Sequence, residues 1–268
     1  MRALWSSHPA RRYAQGFSKG GSALAEEVPV ALVYDGTTLA VMMASPGDLE
    51  DFATGFALTE GLVRNLDDIT GLEIVDQGAG LEARVWLVPG AASRLAGRQR
   101  GMIGPVGCGL CGIDSLAQAL RVLPHAPEGA RLSPRAPAQA MAALTAAQPL
   151  QDATRAAHAA GFWHPERGLV CLREDIGRHN ALDKLAGALA RTGLDPASGA
   201  LVITSRLSVD LVQKAAMIGA TVLIGASAAT ALAVSEAEAA GLTLISRARG
   251  ETYELHTHPD RIDAKDIQ

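Results

Sequence analysis

Cysteine is scarce in this chain. Cys108, Cys111 and Cys171 are the three present, too few for a disulfide framework, so a reducing, cytoplasmic compartment is expected. An excess of positive charge is missing too: 24 Lys and Arg against 28 Asp and Glu give a formal net charge of −4. A basic face for phosphate backbones needs the opposite balance, so no nucleic-acid partner is expected. The N-terminal stretch MRALWSSHPARRYAQGFSKGG holds Arg11-Arg12 but no apolar run follows it, and no secretion signal is expected. One stretch, Ala215 to Ser235, is uncharged and long enough to span a membrane. Gly219, Thr221, Gly225, Ser227 and Thr230 interrupt it, and it reads as helix end, strand, loop and helix start rather than as a membrane span.

The length of 268 residues suits one large or two small domains. Residues 1–24 read as a mobile arm. VPVALVY and TLAVMMA flank Asp35-Gly36, a strong hairpin signal. Ser45 is expected to cap a helix that starts at Pro46 and runs through DLEDFATGFALTEGL. The strand LEARVWLV follows, completing a small α+β lobe over residues 25–98. Residues 99–268 are expected to form an α/β core. Prolines at 124, 127, 134 and 137 mark a loop before the helical APAQAMAALTAA. From residue 168 onward, strands (GLVCLRE, ALVITS, TVLIGAS, LTLIS) alternate with helices (HNALDKLAGALARTG, SVDLVQKAAMIG, TALAVSEAEAAG). This alternation predicts a layered, mixed and largely parallel sheet.

In such sheets ligands lie beyond the carboxyl ends of the strands. The loops EDIGRHN, SRLS, GASAAT and SRARGE would meet there, bringing Asp175, Arg178, His179, Asn180, Ser205, Arg206, Ser208, Ser227, Arg247 and Arg249. Arginines beside helix N-termini suit a phosphate-bearing ligand. Every such sheet also has a solvated polar rim, and the spacing alone does not separate the two. Asp183 and Lys184 read as a solvated or interface face, His256 and His258 as surface or dimer contacts, and Cys171 as a buried small hydrophobe.

The stretch GPVGCGLCGIDSL contains Cys108 and Cys111 in a C-x-x-C. A structural zinc site commonly takes two such pairs, and the second is missing. A zinc deaminase needs H-x-E upstream, yet the H-x-E at His164-Pro165-Glu166 lies downstream. A dithiol redox pair would follow a strand and open a helix; IDSLAQAL fits the helix but GMIGPVG does not read as a strand. Sulfur carriage needs a nucleophilic thiolate with access for two partners in turn, and five glycines within 101–112 leave the loop unhindered. From the residues alone, zinc, redox, sulfur carriage and two ordinary thiols stay open.

CGLCG at 108–112, EDIGRHNALDK at 174–184, SRLSVDLVQKA at 205–215 and SAATALAVSEAEAAGLTLISRARG at 227–250 resemble the FdhD family of formate dehydrogenase accessory sulfurtransferases. The likeness runs from about Val28 to HTHPDRI at 256–262. It implies a cytidine-deaminase-like layered core without zinc chemistry, and a homodimer. It also implies persulfide transfer from a cysteine desulfurase to the bis-molybdopterin guanine dinucleotide cofactor (molybdenum or tungsten), which a guanine nucleotide could mimic, in service of formate dehydrogenase. Cys108 matches the family's persulfide cysteine and Cys111 its auxiliary neighbour. Arg247, Ala248, Arg249, Gly250, Glu251 and Thr252 fall where the family meets the cofactor. A cofactor-binding chaperone without covalent transfer is the alternative, along with a zinc or dithiol module. The family's Thr-Gly-Gly-x-His element reads Thr154-Arg155-Ala156-Ala157-His158 here, its Ser-Gly-Arg reads Thr204-Ser205-Arg206, and its Ala-Pro-Thr reads Ala228-Ala229-Thr230.

Overall fold

Asp35 and Gly36 adopt φ values of 46° and 76°, the doubly left-handed turn that matches the twist of a tight hairpin. They join β3 (Val28–Tyr34) to β4 (Thr37–Ala44). This hairpin belongs to a computed structural model that describes residues 2–13, 17–91 and 121–263. With β5 (Ile69–Asp76) and β6 (Leu81–Leu87) it forms a four-stranded sheet of order β4-β3-β6-β5. Val28, Val30, Leu32 and Tyr34 alternate onto one face and meet Phe52, Ala53 and Phe56 of α1 (Leu49–Thr59) in a core of their own.

The second sheet has six strands in the order β12-β11-β10-β9-β7-β8. They are β7 (His158–His164), β8 (Gly168–Asp175), β9 (Ala200–Ile203), β10 (Val222–Gly225), β11 (Thr243–Arg249) and β12 (Thr252–Leu255). Helix α2 (Ala136–Ala146) covers one face, with Ala140, Met141 and Leu144 on Val202, Val222 and Ile224. Helices α4 (Arg178–Thr192), α5 (Val209–Met217) and α6 (Ala231–Ala239) cover the other, through Leu182, Leu185, Leu189, Leu211 and Ala233. The short α3 (Pro149–Thr154) leads into β7. The result is a mixed α/β fold with two mixed sheets. No helix among the described residues is long and apolar enough to cross a membrane.

Four sequence expectations change. The six-stranded sheet is mixed but not largely parallel: β10 runs parallel to β9 and β11, whereas β7 is antiparallel to β8 and β9, and β12 to β11. Strands β7 and β12 account for the difference; HAAGFWH and TYEL give short, weak signals beside their neighbours. Second, within the stretch 1–24 read as a mobile arm, strand pairing is present that was not expected: β1 (Trp5–Tyr13) pairs with β2 (Phe17–Ala25) as a ribbon. Backbone pairing makes this ribbon, with no apolar alternation to announce it. Third, Ser45 does not cap α1. It is buried, its N–H donates to Asp175 Oδ2 at 2.9 Å, and its hydroxyl accepts from Ile176 N. Asp48, at φ 54°, takes the N-cap place without a side-chain cap bond. Fourth, Cys171 is only half-buried on β8, and burial pushes its thiol pKa up.

The two halves meet where α1 crosses α4. A Cβ on Gly55 would lie 1.7 Å from Asp183 O, and one on Gly187 would lie 1.9 Å from Asp51 O. Only glycine permits this backbone approach.

Candidate functional site

The antiparallel steps through β7 turn β8 to the same direction as β9, β10 and β11. Their carboxyl ends therefore share one edge, and the loops that follow them meet there as the alternation of elements suggested. Backbone bonds knit three of the loops: Ala226 N to Ile203 O at 3.0 Å, Leu207 N to Ala228 O at 3.1 Å, Thr230 N to Leu207 O at 3.0 Å and Arg247 N to Ser227 O at 3.0 Å. Such bonds hold the loops rigid beyond the sheet, where a binding surface needs them.

The stretch EDIGRHNALDK divides into structural and edge residues. Both carboxylate oxygens of Glu174 accept from the first amides of α3, Leu150 N and Gln151 N. Asp175 is fully buried and accepts from Ser45 N, Gly177 N and Asn180 Nδ2, with Lys184 Nζ at 2.6 Å. Lys184 also donates to Ser45 O, and Asn180 to Met43 O. These residues staple α4 to the first sheet, so Asp175 and Asn180 leave the list of ligand contacts. Asp183 and Lys184 are not a solvated face: their side chains are 1% and 0% exposed. Asp183 accepts from Thr59 Oγ1 at 2.6 Å and from Lys214 Nζ at 2.9 and 3.0 Å. Lys214 further donates to Glu60 Oε1 at 2.8 Å and lies 5.4 Å from the Phe56 ring centre. Burial opposes the Lys214 ammonium, but Asp183 and Glu60 outweigh it and hold its pKa above the ordinary value.

Arg178 and His179 remain, on the first turn of α4. His179 Nε2 contacts Asp210 Oδ2 across to the first turn of α5. Burial would raise the Asp210 pKa, yet hydrogen bonding to His179 and its charge bring the net shift down, with Ser208 assisting. Asp210 is a residue the sequence reading missed; its place two positions after Ser208, in a helix's first turn, was the available signal. The pKa of His158 at the start of β7 is lowered, first by burial and then by the nearby Arg178 and His179. Its Nδ1 lies 3.4 Å from Thr204 Oγ1.

The structure places the other expected residues as follows. Ser205 is buried and donates to the carbonyl of Arg206, whose own side chain is exposed. Ser208 and Ser227 are half-buried on the edge. Residues 247–252 form the bulged turn joining β11 to β12, with Arg247 and Gly250 at φ 51° and 59°. Arg247, Arg249, Glu251 and Thr252 are exposed there, and Ala248 is buried in the core, which anchors the turn. Arg247 pairs with Glu254 at 3.1 Å. His256 and His258 pack against the same sheet, His256 Nε2 at 2.7 Å from Ser246 Oγ and His258 Nε2 at 2.9 Å from Glu238 O. Cys108 and Cys111 lie outside the described residues. The flanking Arg121 is described, and its Nη2 donates to Thr59 O at 2.9 Å, beside the Lys214 cluster.

A cleft of about 610 Å³ opens at this edge between α3 and the ends of β7 to β10. Thr204, Ile176 and Ala226 line it, each within two residues of an expected contact, and Gln148, Arg155 and His158 complete it. None of the twelve expected cofactor contacts lines it directly.

With this geometry in place, comparison with known proteins is informative. The sequence matches the FdhD/NarQ family over residues 25–263. It is 50% identical over 244 residues to the sulfur carrier protein FdhD of Agrobacterium fabrum, covering 91% of this chain and 90% of that protein. It is 52% identical over 256 residues to the sulfur carrier protein FdhD of Brucella abortus, covering 95% of each. A crystal structure from Desulfotalea psychrophila, described as a formate dehydrogenase accessory protein, shares the fold with a TM-score of 0.78 at 24% identity, covering 97% of this chain and all of that one. The chain belongs to the FdhD/NarQ family.

Proposed function

We propose that this chain is a cytoplasmic sulfur carrier serving formate dehydrogenase. Cys108 accepts sulfur from a cysteine desulfurase and passes it to the bis-molybdopterin guanine dinucleotide cofactor, which is the substrate here. The observation that carries the proposal is the pairing of Cys108-x-x-Cys111 with a chain half identical to named sulfur carriers over nine-tenths of its length.

The chemistry runs in two steps. The Cys108 thiolate attacks the outer sulfur of the desulfurase persulfide; a new S–S bond forms on Cys108 and the old one breaks, returning the desulfurase thiolate. Release at the metal requires sulfur at the level of sulfide, two electrons below the persulfide's outer sulfur. Attack of the Cys111 thiolate on Cys108 Sγ supplies them, expelling the outer sulfur and leaving a Cys108–Cys111 disulfide for reduction by a cellular thiol. The cofactor's pyrophosphates are drawn to the edge by Arg178, Arg206, Arg247 and Arg249 with the N-termini of α4 and α5, and Ser205, Ser208, Ser227 and the 248–252 backbone frame it. His179, held by Asp210, supplies a ring N–H to the same surface. A deaminase-like layering and a homodimer that presents two such edges complete the proposal.

Intact mass measurement after incubation with a desulfurase and cysteine tests the first step. One added sulfur, lost in Cys108→Ala, is expected. No added sulfur on the wild-type protein would leave a cofactor chaperone without covalent transfer.

A further inference from the structure

The cleft between α3 and the ends of β7 to β10 is not accounted for by the loops that bring together Arg206, Arg247 and Arg249. Its size of about 610 Å³ lies in the range of small-ligand sites. Its donors point to a particular chemistry. Arg155 closes α3 with φ 58°, a left-handed conformation that is uncommon for arginine and sets its side chain on the cleft wall. His158 and Thr204 line the floor within 3.4 Å of each other. Arg178 does not line the cleft but stands close enough to His158 to act on its charge. Among the described residues the wall holds no Phe, Tyr or Trp side chain for a base to stack on.

We propose that this cleft is an anion subsite for a phosphate ester, gripped by Arg155, His158 and Thr204 with Arg178 behind them. That one end of the guanine dinucleotide cofactor is the natural ester rests on the sulfur-carrier proposal; the anion subsite itself does not. Asp152 also lines the cleft, 3.4 Å from Arg155, with both side chains mostly exposed. Exposed pairs of this kind are weak, so the anion can displace Asp152 from Arg155.

Binding is coupled to protonation of His158. Among the described residues, the charged or titratable groups around that ring are Arg178 and His179 of α4, Asp152 and Arg155 of α3, and, across the β7–β8 ladder, Asp175 paired with Lys184. In the free protein burial, and after it Arg178 and His179 of α4, hold the ring's pKa below its ordinary value. An anion beside it favours the charged imidazolium, so the complex binds more protons and affinity rises as pH falls.

The test uses the full chain and inorganic pyrophosphate, with calorimetry for affinity and NMR of the His158 ring for location. The wild-type protein should bind, with the His158 pKa raised on saturation and the affinity higher at acid pH. Arg155→Gly should weaken binding by about tenfold, the scale of one charge-assisted hydrogen bond. Glycine suits φ 58°, so this variant should be at least as thermally stable as the wild type, separating lost binding from lost folding. Arg155→Lys should recover part of the affinity. Absence of binding, binding that leaves the His158 titration unmoved, or an unchanged affinity in Arg155→Gly would each overturn the subsite. Sulfur uptake by Cys108 is not read in this experiment, so the subsite and the carrier chemistry stand or fall separately.

Discussion

Replacing Gly187 by alanine is the sharpest test of how the two halves are joined. In an exposed helix this change is favourable by about 1 kcal/mol, because glycine is the poorer helix former. The structure reverses the sign. A Cβ at residue 187 would sit 1.9 Å from Asp51 O and 2.7 Å from Asp51 C, backbone atoms that cannot rotate away. Ordinary contact begins near 3.4 Å, so α1 and α4 would have to part by about 1.5 Å, and a gap of 0.5–1 Å already forfeits a quarter to a half of a van der Waals well. Parting the helices also strains the 2.6 Å bond between Thr59 and Asp183 and the Lys214 contacts beside it. Overpacking costs about 1–3 kcal/mol and a disrupted buried polar group about 1–3 more, so a loss of about 3 kcal/mol or greater is expected. Thermal melting should fall by roughly 6–12 °C for a protein of this size. A melting temperature equal to or above that of the wild type would refute the close crossing.

Other outcomes follow from the buried charges and the edge. Lys214→Met strands Asp183 without its cation and should cost about 3–5 kcal/mol in denaturant unfolding, whereas Lys214→Met with Asp183→Leu should recover most of it. Equal losses in the single and double variants would show that the pair is not a unit. His158 has a folded pKa below its ordinary 6.5. The unfolded chain therefore takes up a proton first, and stability falls as pH drops through 6.5 toward the folded value. His158→Gln should flatten this part of the stability profile, with a slope difference no greater than about 1.4 kcal/mol per pH unit and less after solvent screening. Identical profiles would mean that the ring is not desolvated by its surroundings.

Strong local signals carried most of the fold. The hairpin at Asp35-Gly36 and the strand–helix alternation after residue 168 each have a local cause, and each is in the structure. Strands β5, β7 and β12 were not legible. Gly161 in β7 packs against Leu144, Leu169 and the Cys171 carbonyl, so a residue that weakens a strand signal is there to let neighbours approach. Ser45 and Lys184 were misread for a shared reason: each has a partner more than 100 residues away in sequence, Asp175 for the Ser45 amide and the Ser45 carbonyl for Lys184, and that packing buries them. The edge loops were legible because the topology of such sheets dictates where loops gather. The His179–Asp210 contact and the cleft wall at Arg155 were not, since each depends on the register between elements rather than on any local pattern.

The central claim is delivery of sulfur, and following labelled sulfur tests it directly. The protein is loaded with radiolabelled sulfur by a desulfurase, freed of excess label and mixed with the guanine dinucleotide cofactor. Label should leave the wild-type chain and appear with the cofactor. Cys108→Ala should carry no label at all, and Cys111→Ala should load but release it slowly. Retention of the label on the chain while formate dehydrogenase gains activity would contradict the account.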